Sequence, residues 1–181
     1  LPELDDLAVD LATCRADLRR IVSGLIPTAL NDGGLQAAIT RLVESFNGGS
    51  GYRSGNARDT RIILTTSVPD HIDSRSSVLI YRAVAEGITN AIKHAQATQV
   101  SISIEVGTDD LRVSVTDNGA SGTGGPIAGS VVPGVGLQSL HNRAAELGGT
   151  LSIVPVLPTG TRLLLTIPSR VQPADSPGRE R

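Results

Sequence analysis

The stretch Glu86–Ala95, EGITNAIKHA, is the most informative part of this chain. It carries the pattern E-x-x-x-N-x-x-K-H-A inside a segment, Asp73–Ala95, that we predict to be one long helix. Glu86, Asn90 and Lys93 stand at positions i, i+4 and i+7, which lie on one face of a helix. The sequence therefore predicts that a carboxylate, an amide oxygen and an ammonium group point the same way.

These three groups suit a site for a magnesium-bound nucleotide. Glu86 can orient a water molecule, Asn90 can ligate a hard cation, and Lys93 can contact phosphate oxygens. Mg²⁺ takes oxygen ligands, keeps several waters and is usually held jointly with nucleotide phosphates. The same spacing is also typical of the solvated face of an amphipathic helix. The run alone therefore leaves both interpretations open.

Composition limits the class of protein. The 181 residues are enough for one domain with an appendage. Because 16 basic and 18 acidic residues form no concentrated basic patch, nucleic acid is not an expected partner. No apolar stretch is long enough to span a bilayer, so we expect no membrane contact here. Since the chain begins at Leu1 and contains no Met, we expect a fragment of a parent that is free to carry a membrane anchor. The single cysteine, Cys14, fits a reducing compartment such as the cytoplasm.

A heptad pattern marks the N-terminal region, residues 1–30. Its apolar positions alternate in spacings of three and four: Leu4, Leu7, Leu11, Cys14, Leu18, Ile21 and Leu25. This spacing is typical of a helix in a coiled-coil-like bundle. Because one such helix needs a partner, we expect a homodimer through this segment. A helix packed on its own domain is the alternative, and Pro27 ends the helix in either case.

The rest of the chain predicts further helices, one leading strand and two hairpins, with Asp73 or Ser74 as the cap of the long helix. This order predicts an α+β two-layer sandwich with helices on one sheet face over residues 31–168, then a disordered tail, 169–181. The glycine-rich stretch Asn118–Pro133 is expected to be a mobile loop of the kind that serves as a lid. The predicted elements are helices Leu35–Phe46 and Leu137–Leu147, strand Arg61–Val68, and hairpin strands Gln99–Val106 with Leu111–Thr116 and Thr150–Val156 with Thr161–Ile167.

Three short glycine motifs lie at element boundaries. In Asp117-Asn118-Gly119, Asp117 is placed to accept a hydrogen bond from a purine amine, and Gly119 lets the backbone turn close to a ligand. An ordinary turn is the alternative, since these residues are good turn formers. Gly134-Val135-Gly136-Leu137 opens a helix, where backbone N–H groups can bind phosphate. Gly160-Thr161 enters the last strand and also suits a hairpin turn.

Together, in this order, the motifs resemble the GHKL superfamily of gyrase-type ATPases, MutL-type repair proteins, heat-shock chaperones and histidine kinases. The run from Glu86 to Ala95 resembles its asparagine box, and the three glycine motifs resemble its glycine boxes, over roughly Arg61–Pro168. The resemblance implies the GHKL or Bergerat fold with a mixed sheet. The runs KHAQATQVSISIEV and GLQSLHNRAAELGGTLSI are similar to bacterial sensor histidine kinases of the nitrate-sensor (NarL-partner) type. In that family, residues 1–30 would be the second helix of the dimerisation and phosphotransfer domain.

The resemblance implies roles for ten residues, with ATP as substrate, Mg²⁺ as cofactor and a response regulator as partner. Glu86 would be catalytic, orienting the Mg-bound water or assisting proton removal from the attacking histidine, and Asn90 would ligate Mg²⁺. Asp117 would bind adenine, with Thr161 nearby. The residues implied in nucleotide binding are Asn90, Lys93, His94, Asp117, Gly119, Gly134, Gly136, Leu137 and Thr161.

Two departures qualify the resemblance. The family's phosphoacceptor histidine lies on a preceding helix that is absent here, so this chain alone is not expected to autophosphorylate. The first glycine box usually reads D-x-G-x-G, whereas Ser121 takes the second glycine position and Gly122 follows. The main hypothesis is the catalytic part of a protein histidine kinase. The alternatives are an anti-sigma-factor-type serine kinase or binding module, against which the heptad helix argues, and a degenerate nucleotide sensor.

Overall fold

The structure is a computed structural model that describes residues 30, 33–47, 60–66, 68, 72–120 and 135–169. Three helices and five strands are present in this part of the chain. In chain order they are α1 (Gly34–Asn47), β1 (Arg61–Thr66), α2 (Ser74–Lys93), β2 (Gln99–Val106), β3 (Asp110–Asp117), α3 (Val135–Glu146), β4 (Thr150–Pro155) and β5 (Thr161–Pro168). Every element predicted within these ranges is present, with ends that differ by at most two residues.

The strands form one mixed sheet in the order β1-β2-β3-β5-β4. β1 runs parallel to β2, and the other neighbouring pairs are antiparallel. Parallel neighbours need a long crossover, which α2 supplies between β1 and β2. The α+β fold with a mixed sheet is therefore confirmed.

Local chemistry sets both ends of the helices that matter for the site. The side chain of Asp73 accepts hydrogen bonds from the backbone N–H groups of Arg75 and Ser76, both at 3.0 Å, and so caps α2. After α3, Gly148 takes a left-handed φ of 75°, and the N–H of Gly149 donates to the carbonyl of Ala144 at 2.8 Å. This glycine turn satisfies carbonyls that the helix end leaves unpaired.

The core lies between one face of the sheet and the three helices. Along the central strands every second side chain points into the core, because successive residues of a strand face opposite sides of the sheet. Helix α2 packs across β2, β3 and β5, and α3 packs on β4 and β5. The buried strand residues are Ile62, Val100, Ile102, Ile104, Leu111, Val113, Val115, Leu163, Leu165 and Ile167. The helices contribute aliphatic side chains to the same cluster. Helices on one sheet face, as predicted, leave the other face mostly polar.

The outer edge of β1 is closed by a side chain. Asn47, the last residue of α1, accepts a hydrogen bond from the N–H of Ile62 at 3.1 Å and donates to the carbonyl of Ile62 at 3.2 Å. The amide of Asn47 thus takes the place that a neighbouring strand residue would occupy at this position.

Several predicted features lie outside the described residues. They are the heptad helix within 1–30, the glycine-rich loop from Ser121 onward, Gly134 and the tail after Ser169. Among the helices of the described ranges, none is long and apolar enough to cross a membrane.

Candidate functional site

The polar row on α2 keeps the placement that the sequence predicts. Glu86 and Asn90 are half-buried, whereas Lys93, in the last turn, and His94, which caps the helix, are exposed. The backbone N–H groups of His94 and Ala95 both donate to the carbonyl of Asn90, at 2.9 and 3.3 Å. The row therefore runs from the packed middle of α2 to its solvent-exposed C-terminal end.

Asp117 lies where β3 ends and β5 begins. Its Oδ1 accepts a hydrogen bond from the N–H of Gly119 at 2.8 Å. Partial burial raises the pKa of the Asp117 carboxyl, while hydrogen bonds from backbone N–H groups, including those of Gly119 and Thr161, oppose that rise. The carboxyl is thus held by the backbone and partly withdrawn from water. Asp117 and Gly119, from one predicted motif, and Thr161, from another, come together here.

The end of α2 contacts the turn that follows Asp117. The N–H of Ala120 donates to the carbonyl of Ala95 at 2.9 Å, and a Cβ added at Gly119 would collide with that same carbonyl. Any larger residue at Gly119 would force the two segments apart. The glycine therefore lets the C-terminal end of α2 approach the Asp117 turn.

The turn between β4 and β5 closes the other side of Asp117. Gly160 has a φ of 125°, which favours glycine, and its backbone lies directly against the carbonyl of Asp117. Thr159 Oγ1 donates to the carbonyl of Asn118 at 3.4 Å. Gly160 thus serves both as the hairpin turn and as part of the site's wall.

Glu86 and Gly136 form a second contact between motifs. A Cβ at Gly136 would lie 2.5 Å from Glu86 Oε1, so the carboxylate rests against the first turn of α3. The expectation that the helix starts at Leu137 is wrong by two residues, because α3 begins at Val135 and includes Gly136. Leu137 is half-buried and packs against the core cluster.

Gly87 sets the distance between α2 and the sheet. A Cβ at this buried position would lie 2.8 Å from Cγ1 and 2.9 Å from Cβ of Val115. Glycine therefore permits α2 to lie close to β3, two residues before Asp117. Nothing in the periodicity of the sequence distinguishes this glycine from an ordinary helix residue.

Two polar residues were missed by the sequence analysis. Arg82 stands one helical turn before Glu86, and its pKa is lowered first by burial and then by the positive charge of Arg143 on α3. The guanidinium groups of Arg82 and Arg143 thus lie near each other where α2 packs on α3. The i, i+4 spacing of Arg82 and Glu86 was the available signal. The sequence predicts no role of its own for Asn118 within its glycine motif, although its side chain makes three hydrogen bonds.

Comparison with known proteins identifies the family. Residues 76–171 match the family of histidine kinase-, DNA gyrase B- and HSP90-like ATPases. The chain therefore belongs to this ATPase family, and the resemblance seen in the sequence is confirmed at that level.

Individual relatives are sensor histidine kinases. The chain is 27% identical over 153 residues to the sensor histidine kinase LiaS of Bacillus subtilis (strain 168), covering 84% of this chain and 39% of that protein. The histidine kinase domain of the Erythrobacter litoralis EL346 blue-light activated kinase matches with a TM-score of 0.58 at 24% identity, over 74% of this chain and 60% of that one. The ATP binding domain of PrrB from Mycobacterium tuberculosis matches at 26% identity with a TM-score of 0.50, over 75% of this chain and 95% of that one. The chain thus spans well under half of the curated relative. The nitrate-sensor subtype stays a prediction.

Proposed function

We propose that this chain is the ATP-binding catalytic part of a bacterial sensor histidine kinase. It would bind Mg-ATP and donate the γ-phosphoryl group to a histidine on another helix. The observation that carries the proposal is the packing of α2, the helix that bears Glu86 and Asn90, against β3, the strand that ends at Asp117, in a chain of this ATPase family. A carboxyl suited to a purine and a polar row suited to phosphates then belong to one packed unit.

The Asp117 end suits the purine. A carboxylate that is partly desolvated and already oriented by backbone N–H groups needs little reorganisation to accept a further hydrogen bond from an exocyclic amine. We assign adenine binding to Asp117, with Gly119 and Thr161 shaping the pocket around the base.

The polar row of α2 and the start of α3 suit the phosphates. Lys93 and His94 are exposed at the C-terminal end of α2, where they can contact phosphate oxygens. Gly136 and Leu137 in the first turn of α3, together with Gly134, would approach the phosphates from the side of the predicted lid loop. Backbone N–H groups at a helix N-terminus favour anions.

The donor set fits a magnesium ion that is shared with the nucleotide. Within the described ranges no three His, Cys, Asp or Glu side chains converge on one point, and the half-buried amide of Asn90 offers a neutral oxygen. We propose Asn90 as the protein ligand, with phosphates and water completing the shell, as Mg²⁺ prefers. The ion would neutralise the charge that develops on the phosphate oxygens.

Glu86 is the proposed catalytic carboxylate for transfer. In phosphoryl transfer the bond from the γ-phosphorus to the leaving ADP oxygen breaks as the histidine nitrogen attacks, and positioning with charge neutralisation supplies most of the rate. Glu86 would orient the attacking group or accept its proton, and its contact with Gly136 would link this carboxylate to the first turn of α3.

The remaining assignments follow the relatives. We propose that the phosphoryl group passes onward to an aspartate of a response regulator, that residues 1–30 form the helix of a homodimeric dimerisation and phosphotransfer domain, and that residues 31–168 are the catalytic domain. We place this part of the receptor in the cytoplasm, where ATP and a response regulator are found. The nitrate-sensor type is the subtype that we propose.

The test separates binding from transfer. Calorimetric titration with ATP and Mg²⁺, then with EDTA, is expected to show saturable binding that weakens when the metal is removed. Asn90→Ala should abolish phosphoryl transfer to a supplied histidine-bearing domain, because no other described side chain is proposed to ligate the metal. Asn142→Ala is the matched control, since Asn142 lies on α3 and its side chain accepts a hydrogen bond from Gln138 at 3.0 Å. Undiminished transfer by Asn90→Ala would refute the metal assignment.

A further inference from the structure

The side chain of Asn118 fastens the end of β3 to the start of β2. Its Oδ1 accepts hydrogen bonds from the backbone N–H of Thr98 at 3.0 Å and of Gln99 at 2.9 Å. Its Nδ2 donates to Thr98 Oγ1 at 2.9 Å. The amide of one residue thus uses both its acceptor and its donor on two consecutive residues at the start of a neighbouring strand.

The backbone of Asn118 is fixed from two further directions. Its N–H donates to the carbonyl of Gln99 at 3.2 Å, and its carbonyl accepts from Thr159 Oγ1 at 3.4 Å. Gly160 lies against the backbone of Asp117 and Asn118 from the β5 side. The ends of β2, β3 and the β4–β5 turn therefore meet at this one residue.

Asp117 precedes this junction directly. Its carboxyl accepts a hydrogen bond from the N–H of Gly119, so that Asn118 is the middle residue of the turn. The position of Asn118 therefore sets the direction of the turn and the position of the carboxyl oxygens. The side chain of Asn118 is bound to Thr98 and Gln99, whereas the carboxyl of Asp117 is bound to the N–H of Gly119. Because the two side chains engage different partners, Asn118 can hold the turn without entering the space in front of Asp117.

We propose that Asn118 is a positioning residue for purine selectivity: its amide holds Asp117 in the one orientation that accepts a hydrogen bond from the 6-amino group of adenine. This inference rests on the proposed function, since it assumes that Asp117 faces the purine. Loss of the amide would let the turn sample several orientations. Only a ligand that makes the hydrogen bond to Asp117 would then lose affinity.

The experiment compares ATP with purine riboside triphosphate, which lacks the 6-amino group, by calorimetric titration of the full chain in Mg²⁺. Asn118→Ala is expected to weaken ATP by about three- to tenfold, the value of roughly one hydrogen bond, and to leave purine riboside triphosphate nearly unchanged. Selectivity, expressed as the Kd for purine riboside triphosphate divided by the Kd for ATP, therefore falls. Asn118→Asp should restore the ratio, because a carboxylate oxygen also accepts from both N–H groups and the hydroxyl of Thr98 can donate to it. Asn142→Ala again serves as the control.

The selectivity ratio distinguishes positioning from simple loss of structure. Equal weakening of both nucleotides by Asn118→Ala would show a general structural defect and overturn the inference, as would unchanged affinity for ATP. Asp117→Asn reports separately on the proposed function. If the wild-type chain binds neither nucleotide, or if Asp117→Asn leaves selectivity intact, the assignment of Asp117 fails whatever Asn118 does.

Discussion

Replacement of Gly87 by alanine should move α2 away from the site. The added Cβ would lie 2.8 Å from Cγ1 and 2.9 Å from Cβ of the buried Val115, whereas carbon atoms pack best at about 3.5–4.0 Å. The helix must therefore retreat by roughly 0.7 Å or Val115 must shift with its strand. Because Val115 is a short branched side chain with no flexible end, the helix and strand share the strain.

The energy has two opposing parts. Alanine improves helix propensity by about 1 kcal/mol, and overpacking costs about 1–3 kcal/mol. We expect Gly87→Ala to lower the free energy of unfolding by about 1 kcal/mol net and to weaken ATP binding more visibly, since Glu86 and Asn90 move relative to Asp117. Urea denaturation measures the first quantity and calorimetric titration the second.

A double-mutant cycle tests the cause. Val115→Ala removes both Cγ methyl groups but keeps the Cβ at 2.9 Å, so it relieves part of the overlap. The Gly87→Ala/Val115→Ala chain should therefore be more stable than the sum of the single effects, by about 0.5 kcal/mol of coupling. Additive effects, or a Gly87→Ala chain that is more stable than wild type and binds ATP equally well, would refute the close approach of α2 to β3 as the reason for this glycine.

Three further predictions concern single residues. Burial raises the folded-state pKa of Asp117, so its contribution to the stability of the fold is complete below the ordinary carboxyl pKa and is lost as pH rises through the raised pKa. Asp117→Asn should therefore raise the Tm of the ligand-free chain at about pH 7.5 but hardly at about pH 4. An equal rise in Tm at both pH values would contradict this. Gly136→Ala should change the Tm little, because the flexible end of Glu86 can move aside, yet lower phosphoryl transfer more than it weakens ATP binding. Measuring ATP affinity and phosphoryl transfer side by side tests this, and weaker binding with unchanged transfer from the bound state would contradict it. Gln96 has a φ of 49°, so Gln96→Gly should stabilise the chain by about 1 kcal/mol in urea denaturation, and a loss of stability would argue against strain at this residue.

Much of the fold was predictable because its signals are local. Gln99–Val106 alternates strictly and is β2 to the residue, and Asp73 caps α2 as a short acceptor side chain before a helix should. The parallel pairing of β1 with β2 has no local signal, since Arg61 and Gln99 are brought together only by the crossover.

The candidate site was predictable in its residue types but not in its contacts. The spacing of Glu86 and Asn90 follows from helix periodicity alone. The contact of Gly136 with Glu86, the fit of Gly87 on Val115 and the hydrogen bonds of Asn118 to Thr98 join residues distant in sequence. Glycine and asparagine are common turn formers, so a local turn already explains their presence in the sequence. Their contacts with distant residues therefore cannot be predicted from the sequence.

The amide of Asn47 has a consequence for self-association. A sheet edge with unpaired N–H and C=O groups can recruit a strand from another molecule. At Ile62 both groups are already satisfied by Asn47, and at the far edge β4 ends in Pro155, which has no N–H to offer. Each edge strand is therefore protected in a different way, β1 by a side-chain amide and β4 by a proline. Asn47→Ala should make the β1 edge more open than the β4 edge to intermolecular strand addition at high protein concentration.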